Sequence, residues 1–378
     1  MQEGMNRRAW LRNSGLAALG LSLNLKSLAN EERLLRHVGM AEGLINLGSN
    51  ENPYGIAPGA KQAIAEMTGL ANRYQFNVPT MQGFRKELAK YYGLSAEEVL
   101  VTAGSSEGLN LAARHFSGGP VVSATPTFFI LPELSKKLGN KVIEVPVNGE
   151  GVHDLSAMSS RITPETKLVY ICNPANPTAT ILDAGQLRDF TLSVPRQTVV
   201  LIDEAYMDFQ EDPQAQSMMD LVHDHPNVMI LRTFSKIHGM AGLRIGFAAG
   251  HASLIKALED NYFDSTQMCV SNLTMAAALA SMRDEAYRNK IRTMNHEARH
   301  FAMKAIQSMG RRTLDSSTNF FMFNLGKYPG DFAADMLNKG YIIRSNGFEG
   351  GKWCRVSIGT MDEMKSFVHA IQDISGQF

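Results

Sequence analysis

The chain is poor in the features that would narrow its role at once. Its 378 residues include only three cysteines, Cys172, Cys269 and Cys354. They lie far apart with no metal-ligand spacing, and their odd number argues against a disulfide framework. Neither sign of charge is in excess: Lys plus Arg and Asp plus Glu both total 37. No global field therefore draws the protein to nucleic acid or anionic lipid. No apolar run reaches the roughly 20 residues of a membrane-spanning helix, so no stable membrane insertion is expected. Beyond about residue 31 there is no low-complexity tract, long linker or internal repeat. What is present, 44% hydrophobic and 20% charged residues, is ordinary for a globular protein. The length suits one large domain and a smaller one.

The first residues differ in kind. Arg7 and Arg8 precede Trp10-Leu11-Arg12, and residues 13–25 carry no charge and are mostly small or leucine. That run suits the apolar part of a signal peptide, and Ser27-Leu28-Ala29 offers a small-residue cleavage site. The order resembles a twin-arginine signal, which exports folded proteins. With no cysteine near the cleavage site, a lipid anchor is not expected. A leader over residues 1–29 predicts a periplasmic or secreted protein, cytoplasmic if the leader is not used. The plainer alternative is an amphipathic helix that begins with two arginines.

Further on, short apolar runs alternate with helix-length segments. Val99-Leu100-Val101-Thr102 precedes a helical pattern over 106–116, Val121-Val122 precedes 127–138, and KLVYIC (167–172) precedes 183–192. TVVLID (198–203) and VMIL (228–231) follow. Runs apolar on both faces and separated by helices predict an α/β fold with a mostly parallel sheet. From about Ser271 long helical periodicity gives way to strands at 320–323, 341–344 and 353–358. The expected organisation is an arm over 30–50 joining the small domain, a large domain over 51–270 and a smaller α+β domain over 271–378.

Ligands of such sheets collect at the carboxyl ends of strands. Gly104-Ser105-Ser106 follows one strand and opens a helix, and the segment from Asn173 to Thr178 follows a second. Asp203-Glu204-Ala205-Tyr206 ends a third, and Thr233-Phe234-Ser235-Lys236 a fourth. A lysine at a buried strand end is costly as a cation and useful as an amine. Desolvation lowers its pKa and makes it a nucleophile for a Schiff base. A strand-end aspartate can pair with a protonated ring nitrogen. Open N–H groups and hydroxyls at a helix start cradle a phosphate, and Arg244 can complete the charge. An aldehyde, a pyridine nitrogen, a phenolic oxygen and a phosphate are together the parts of pyridoxal phosphate. Singly, Asp203 reads as a helix cap, Asn176 as a turn residue, Arg244 as a structural ion pair and Arg355 as a surface charge. Their joint occurrence around Lys236 favours the cofactor.

These stretches resemble the class I and II, fold-type I aminotransferases, and among them the histidinol-phosphate aminotransferases. The resemblance runs in the family's order through SNENPYG (49–55), NRY (72–74), VTAGSSEGL (101–109), CNPANPTAT (172–180) and IDEAYMDF (202–209). It continues through LRTFSKIHGMAGLRIGF (231–247), NF (319–320) and RVSIGT (355–360). It implies a mostly parallel seven-stranded sheet sandwiched by helices, and pyridoxal 5′-phosphate as cofactor. Lys236 would carry the cofactor and act as base at the donor's Cα, while Asp203 would hold the ring nitrogen protonated. Asn176 and Tyr206 would hydrogen-bond the phenolic oxygen, and Ser105, Ser106, Ser235 and Arg244 would bind the phosphate. Phe128 would stack on the ring. Tyr74 corresponds to a tyrosine that reaches the neighbouring subunit's phosphate, which implies a homodimer. Arg355 matches the arginine that grips the substrate's acidic group, with Arg344 and Tyr54 assisting. The implied reaction moves an amino group from an amino acid or histidinol-phosphate-like amine to a 2-oxo acid.

Three positions depart from the family pattern. Ala179 replaces a glycine and is expected to tighten its turn slightly. Ser106 replaces an aspartate, and Phe128 a tyrosine. None removes a group that transamination needs. Export sits badly with cytoplasmic histidine biosynthesis, so another amino donor is expected, in modifying a natural product or cell-envelope compound. A decarboxylase or lyase of the same fold would keep the same cofactor residues, as would a non-catalytic binding protein; the retained Lys236 disfavours the latter. His296-Glu297-Ala298-Arg299-His300 fits the H-E-x-x-H zinc signature, but no glutamate follows before Glu349 and Met303 breaks the longer pattern. No metal is expected.

Overall fold

In the computed structural model, which describes residues 43–74, 80–263 and 270–374, the apolar runs become the strands of one sheet. They are β1 (Val99–Thr102), β2 (Val121–Thr125), β3 (Val142–Pro146), β4 (Leu168–Cys172), β5 (Val199–Asp203), β6 (Val228–Thr233) and β7 (Gly246–Gly250). Their spatial order is β1-β7-β6-β5-β4-β2-β3. Only β7 runs against its neighbours β1 and β6; the remaining pairs are parallel. The expected mostly parallel seven-stranded sheet is therefore present.

Alternation along the strands divides the interior in two, because successive side chains point to opposite faces. Val169, Ile171, Val200, Ile202 and Ile230 join one apolar layer. Leu168, Tyr170, Leu201 and Leu231 join the other. The first layer is closed by Phe84 and Leu88 of α2 (Thr80–Tyr91), Leu187 and Phe190 of α5 (Ala184–Ser193), and Met275 and Ala278 of α7 (Asn272–Arg283). The second is closed by Leu109 and Ala112 of α3 (Ser105–His115), Leu131 of α4 (Ile130–Lys137), and Ile255 and Leu258 of α6 (Ala252–Tyr262). A further helix, α1 (Pro58–Met67), packs on α7. With both faces covered, the strands must be apolar throughout, as the sequence shows.

Two of these strands are not evident in the sequence. The run Gly246-Phe247-Ala248-Ala249-Gly250 has little β-propensity and reads as part of a glycine-rich turn. It is a strand because its neighbours approach so closely. A Cβ at Gly246 would lie 2.6 Å from the Arg232 carbonyl oxygen and 2.7 Å from the Ser105 amide nitrogen. Strand β3 is only partly buried and so lacks a long apolar signature.

The final third builds a second sheet of β8 (Phe320–Gly326), β9 (Arg344–Phe348) and β10 (Gly351–Ser357), in the order β9-β10-β8 and antiparallel throughout. Its register sets Arg344 directly opposite Arg355. Helix α8 (Glu285–Ser308) packs on α10 (Met361–Ile374), with α9 (Phe332–Asn338) between them in sequence. Helix starts are conventional: Asp183, Ser271 and Asp284 each accept a hydrogen bond from a first-turn N–H, which satisfies otherwise orphaned donors. Residues from Asn46 onward form one contact unit. The leader over 1–29 and most of the arm over 30–50 lie outside the described residues. Among the described residues no helix is long and apolar enough to cross a membrane.

The turn after Lys236 depends on Gly239, which adopts φ +70°. A Cβ there would lie 2.5 Å from the Gly55 carbonyl carbon, and backbone cannot give way as a flexible side chain can. Gly239→Ala is expected to cost about 2 kcal/mol or more from the strained φ and the overlap together. Gly242→Ala, with nothing within 4 Å, is expected to cost less than about 0.5 kcal/mol. Denaturant unfolding of the two variants checks the contrast, and equal losses would refute it.

Candidate active site

Strand ends and the loops that follow them surround a cavity of about 660 Å³. Asp203 is the last residue of β5, and Lys236 lies three residues beyond the end of β6. Asn176 follows β4, Phe128 follows β2, and Ser105 begins α3 just after β1. Arg344 and Arg355 come from the second sheet. All the predicted site residues line this cavity except Tyr54 and Tyr74.

Asp203 is 2% exposed, and burial pushes its carboxyl up to about 6 against a hydrogen bond from the Ala205 N–H. That N–H donates to Oδ1 at 3.2 Å, and the Tyr170 hydroxyl approaches Oδ2 at 3.5 Å. Lys236 is half-buried, and its Nζ donates to the carbonyls of Ser49 at 3.4 Å and Asn50 at 3.2 Å. Burial first, then the nearby Arg355 cation, bring its amine down to about 8. The two groups thus move toward their neutral forms, as desolvation requires.

Tyr206 is buried, and burial raises its hydroxyl pKa. Its oxygen accepts from Asn50 Nδ2 at 3.0 Å and Asn176 Nδ2 at 3.3 Å. Asn176 Oδ1 in turn accepts from Arg355 Nη1 at 2.7 Å, and Arg355 Nη2 donates to the Gly48 carbonyl at 2.6 Å. Arg355 Nε is buried with no hydrogen-bond partner among the described residues, and burial lowers the guanidinium's pKa. Arg344 Nε also reaches the Gly48 carbonyl, at 3.3 Å.

At the cavity's other end, α3 starts without a side-chain cap. Its N-cap is Gly104 at φ +89°, so the first-turn N–H groups and their partial positive charge are left to whatever the cavity holds. A Cβ at Gly104 would come 2.5 Å from Arg244 Nη2, so glycine lets the guanidinium lie against the helix start. Arg244 is itself left-handed, φ +54°, and donates to the backbone carbonyls of Ala241 and Ala103. Ser235 completes this wall, its amide and hydroxyl both tied to Thr233 Oγ1. The Arg244 guanidinium, the open helix-start amides and the Ser235 hydroxyl suit this end to an anion.

Tyr54 packs half-buried against the cluster of Tyr206, Ile237 and Phe320, not on the cavity wall. Tyr74 is 76% exposed. Ala179 does more than tighten its turn: it adopts φ +69°, a conformation costing an alanine about 1–2 kcal/mol. Its fully buried methyl, packed in the Tyr206 cluster, offsets about 0.8 kcal/mol of that. His296 and His300 lie one turn apart on α8, ring centroids 6.4 Å apart. Among the described residues no group of three metal-ligating side chains gathers there or elsewhere. Sequence reasoning missed Gly48, Asn50 and Ser357, which hold the cationic and phenolic groups in place. The SNENPYG motif was the available signal, since a buried polar segment demands partners.

The chain matches the family described as Aminotransferase class I and II over residues 42–371. It is 33% identical over 347 residues to a histidinol-phosphate aminotransferase of Moorella thermoacetica, covering 91% of this chain and 88% of that one. To the enzyme of the same name from Brevibacillus brevis it is 33% identical over 344 residues, 90% of this chain and 92% of the relative. The crystal structure of histidinol-phosphate aminotransferase from Sinorhizobium meliloti, in complex with pyridoxal-5′-phosphate, superposes with a TM-score of 0.81 at 25% identity. That match covers 91% of this chain and 94% of the other. The chain belongs to the aminotransferase class I and II family and is a pyridoxal-phosphate-dependent transaminase.

Proposed function

We propose that Lys236 is the catalytic lysine and that the donor is an amine with an anionic group, carboxylate or phosphate, held by Arg355 with Arg344. One observation carries this reading: an amine from the end of one strand and a carboxylate and a phenol from the end of its neighbour share one cavity with an uncapped helix start and Arg244. The donor set fits pyridoxal phosphate. Asp203 is a buried carboxylate with weak neutral partners, suited to a protonated ring nitrogen. The uncapped start of α3, with the Arg244 guanidinium lying against it, suits a phosphate.

Pyridoxal phosphate supplies an aldehyde for amines and an electron sink for the electrons released at the donor's Cα. The rest is the work of this chain. Asp203 would hold a proton on the ring nitrogen. Ser105, Ser106, Ser235 and Arg244 would bind the phosphate, Phe128 would pack on the ring, and Asn176 and Tyr206 would bond the phenolic oxygen. Lys236, its amine brought near neutrality by burial, takes the Cα proton as general base. Arg355 orients the donor so that this proton faces the amine. The relatives named histidinol-phosphate aminotransferases support a phosphorylated amine as one candidate donor. We further propose a homodimer in which Tyr74 reaches the neighbouring site, and export through the leader over 1–29; an exported enzyme would use a different donor from that of histidine biosynthesis.

Lys236→Ala is expected to lower turnover by at least about 10³-fold, and turnover at the wild-type rate would refute its role. A donor panel of histidinol phosphate, unphosphorylated histidinol and aromatic, acidic and basic amino acids, followed by half-reaction absorbance, should show activity with anionic donors and none with histidinol; turnover of histidinol would refute the anionic requirement. Arg355→Ala should raise KM for each anionic donor. Retained KM in that variant would remove the arginine from the substrate site.

Asp203 makes a separate prediction for the cofactor-free protein. Its folded pKa of about 6 exceeds the usual 3.8, so stability is full below the lower value and falls as pH rises through the higher one. Above pH 6 the charged form costs about 3 kcal/mol. Asp203→Asn should therefore raise the apoprotein's Tm at pH 8 by several degrees and leave it nearly unchanged at pH 4. A lower Tm at pH 8 would contradict this.

A further inference from the structure

Asn50 is 2% exposed and left-handed, φ +53°, a conformation that asparagine tolerates better than most residues. Every polar group it carries is engaged. Its N–H donates to Ser357 Oγ at 2.8 Å, and that hydroxyl donates back to Asn50 Oδ1 at 3.0 Å. Nδ2 donates to the Tyr206 oxygen at 3.0 Å. The carbonyl accepts from Lys236 Nζ at 3.2 Å and from Asn319 Nδ2 at 3.0 Å. One residue thus touches both the amine and the phenol of the site, from a segment that supplies neither.

The orientation of two amides follows from this circuit. The Ser357 hydroxyl accepts from the Asn50 N–H and donates to the amide oxygen, which leaves the NH₂ facing Tyr206. Asn176 is fixed the same way, because Arg355 can only donate to its oxygen. The Tyr206 oxygen therefore accepts two N–H donors, which fills its acceptor capacity. Neither amide nitrogen can take its hydrogen, and no acceptor for that hydrogen occurs among the described residues. We infer that Asn50 is a positioning residue that turns the Tyr206 O–H into the cavity as a donor and fixes the Lys236 amine beside it. This rests on the reading in which Lys236 and Tyr206 face the cofactor.

Two N–H donors on its oxygen also make a phenol a stronger donor, since they stabilise negative charge there. A strong Tyr206 donor at the cofactor's phenolic oxygen weakens the hold of the adjacent lysine-linked nitrogen on its proton. Without the Asn50 amide that nitrogen should keep its proton to higher pH. The charged and titratable groups facing Lys236 and Tyr206 are Asp203, Arg355, Arg244, Glu51 and Cys172, and all are retained in the variants below.

The test is the pH midpoint of the visible absorbance of the purified holoenzyme, which needs no turnover. Asn50→Gly keeps the left-handed backbone and its carbonyl while deleting the amide. Its midpoint should rise by about half a unit to one unit, the worth of one hydrogen bond. Asn50→Asp keeps the shape and the Ser357 contact but cannot donate, and its added carboxylate itself raises the midpoint; its shift should therefore shrink in a Tyr206→Phe background, and that difference carries the test if the glycine variant fails to fold. In a Tyr206→Phe background Asn50→Gly should add nothing, because the amide acts through the hydroxyl. A wild-type midpoint in Asn50→Gly and Asn50→Asp, or a full shift persisting without the tyrosine hydroxyl, overturns the inference. A visible band that survives Lys236→Ala unchanged would instead sink the reading beneath it.

Discussion

Asp203 and Lys236 are opposite charges at the ends of neighbouring strands, and the site depends on their being held apart. Direct contact would satisfy both and leave an inert buried ion pair. Separated, each is desolvated without a counter-ion in contact, and each moves toward neutrality, the acid up to about 6 and the amine down to about 8. The same two strands show the other outcome one residue away. Glu204 points to the opposite face from Asp203 and meets Arg232 of β6 at 2.8 Å, with Asp208 at 3.1 Å on the same guanidinium. Ser217 and the Met218 N–H complete the Glu204 carboxylate. Breaking such a buried pair costs about 3–5 kcal/mol. That satisfied network ties β5 to β6 on one face and keeps the unsatisfied pair in register on the other.

Close backbone packing holds the remaining groups at their distances. Gly246 lets β7 pass under the start of α3, so the open amides of the helix reach the cavity. Gly239 lets the chain turn after Lys236 against the Gly55 carbonyl. These glycines are required by specific atoms rather than by flexibility. From the other side, the segment 48–52 offers a row of carbonyls to cations: Gly48 to Arg355 and Arg344, Ser49 and Asn50 to Lys236. A short polar stretch can serve the arginines of the second sheet and the lysine of the first because its carbonyls need donors and theirs need acceptors.

The strand ends were legible in the sequence because a fully buried parallel strand must be apolar and must stop where polarity begins. KLVYIC before Asn173 and TVVLID before Glu204 announce both the strand and its functional end. Where packing rather than side-chain chemistry makes the strand, as with the glycines and alanines of β7, no pattern exists to read. The same limit hid Asn50 and Ser357. Their importance lies in a contact across 307 positions, which no local spacing encodes. Tyr54 shows the converse: a motif can be recognised while its side chain packs behind the wall rather than on it.

Arg355 extends the logic of the charged pair to the second sheet. It donates to Asn176 and Gly48, its Nε is buried without a partner among the described residues, and burial depresses its pKa. Among the described residues it is a cation with no anion in contact, as Asp203 is an acid with no cation in contact. Each deficit costs folding stability. Sites of this kind trade stability for complementarity. The trade is tolerable here because the burden falls on a few strand-end residues, while the two apolar layers beneath them carry the fold.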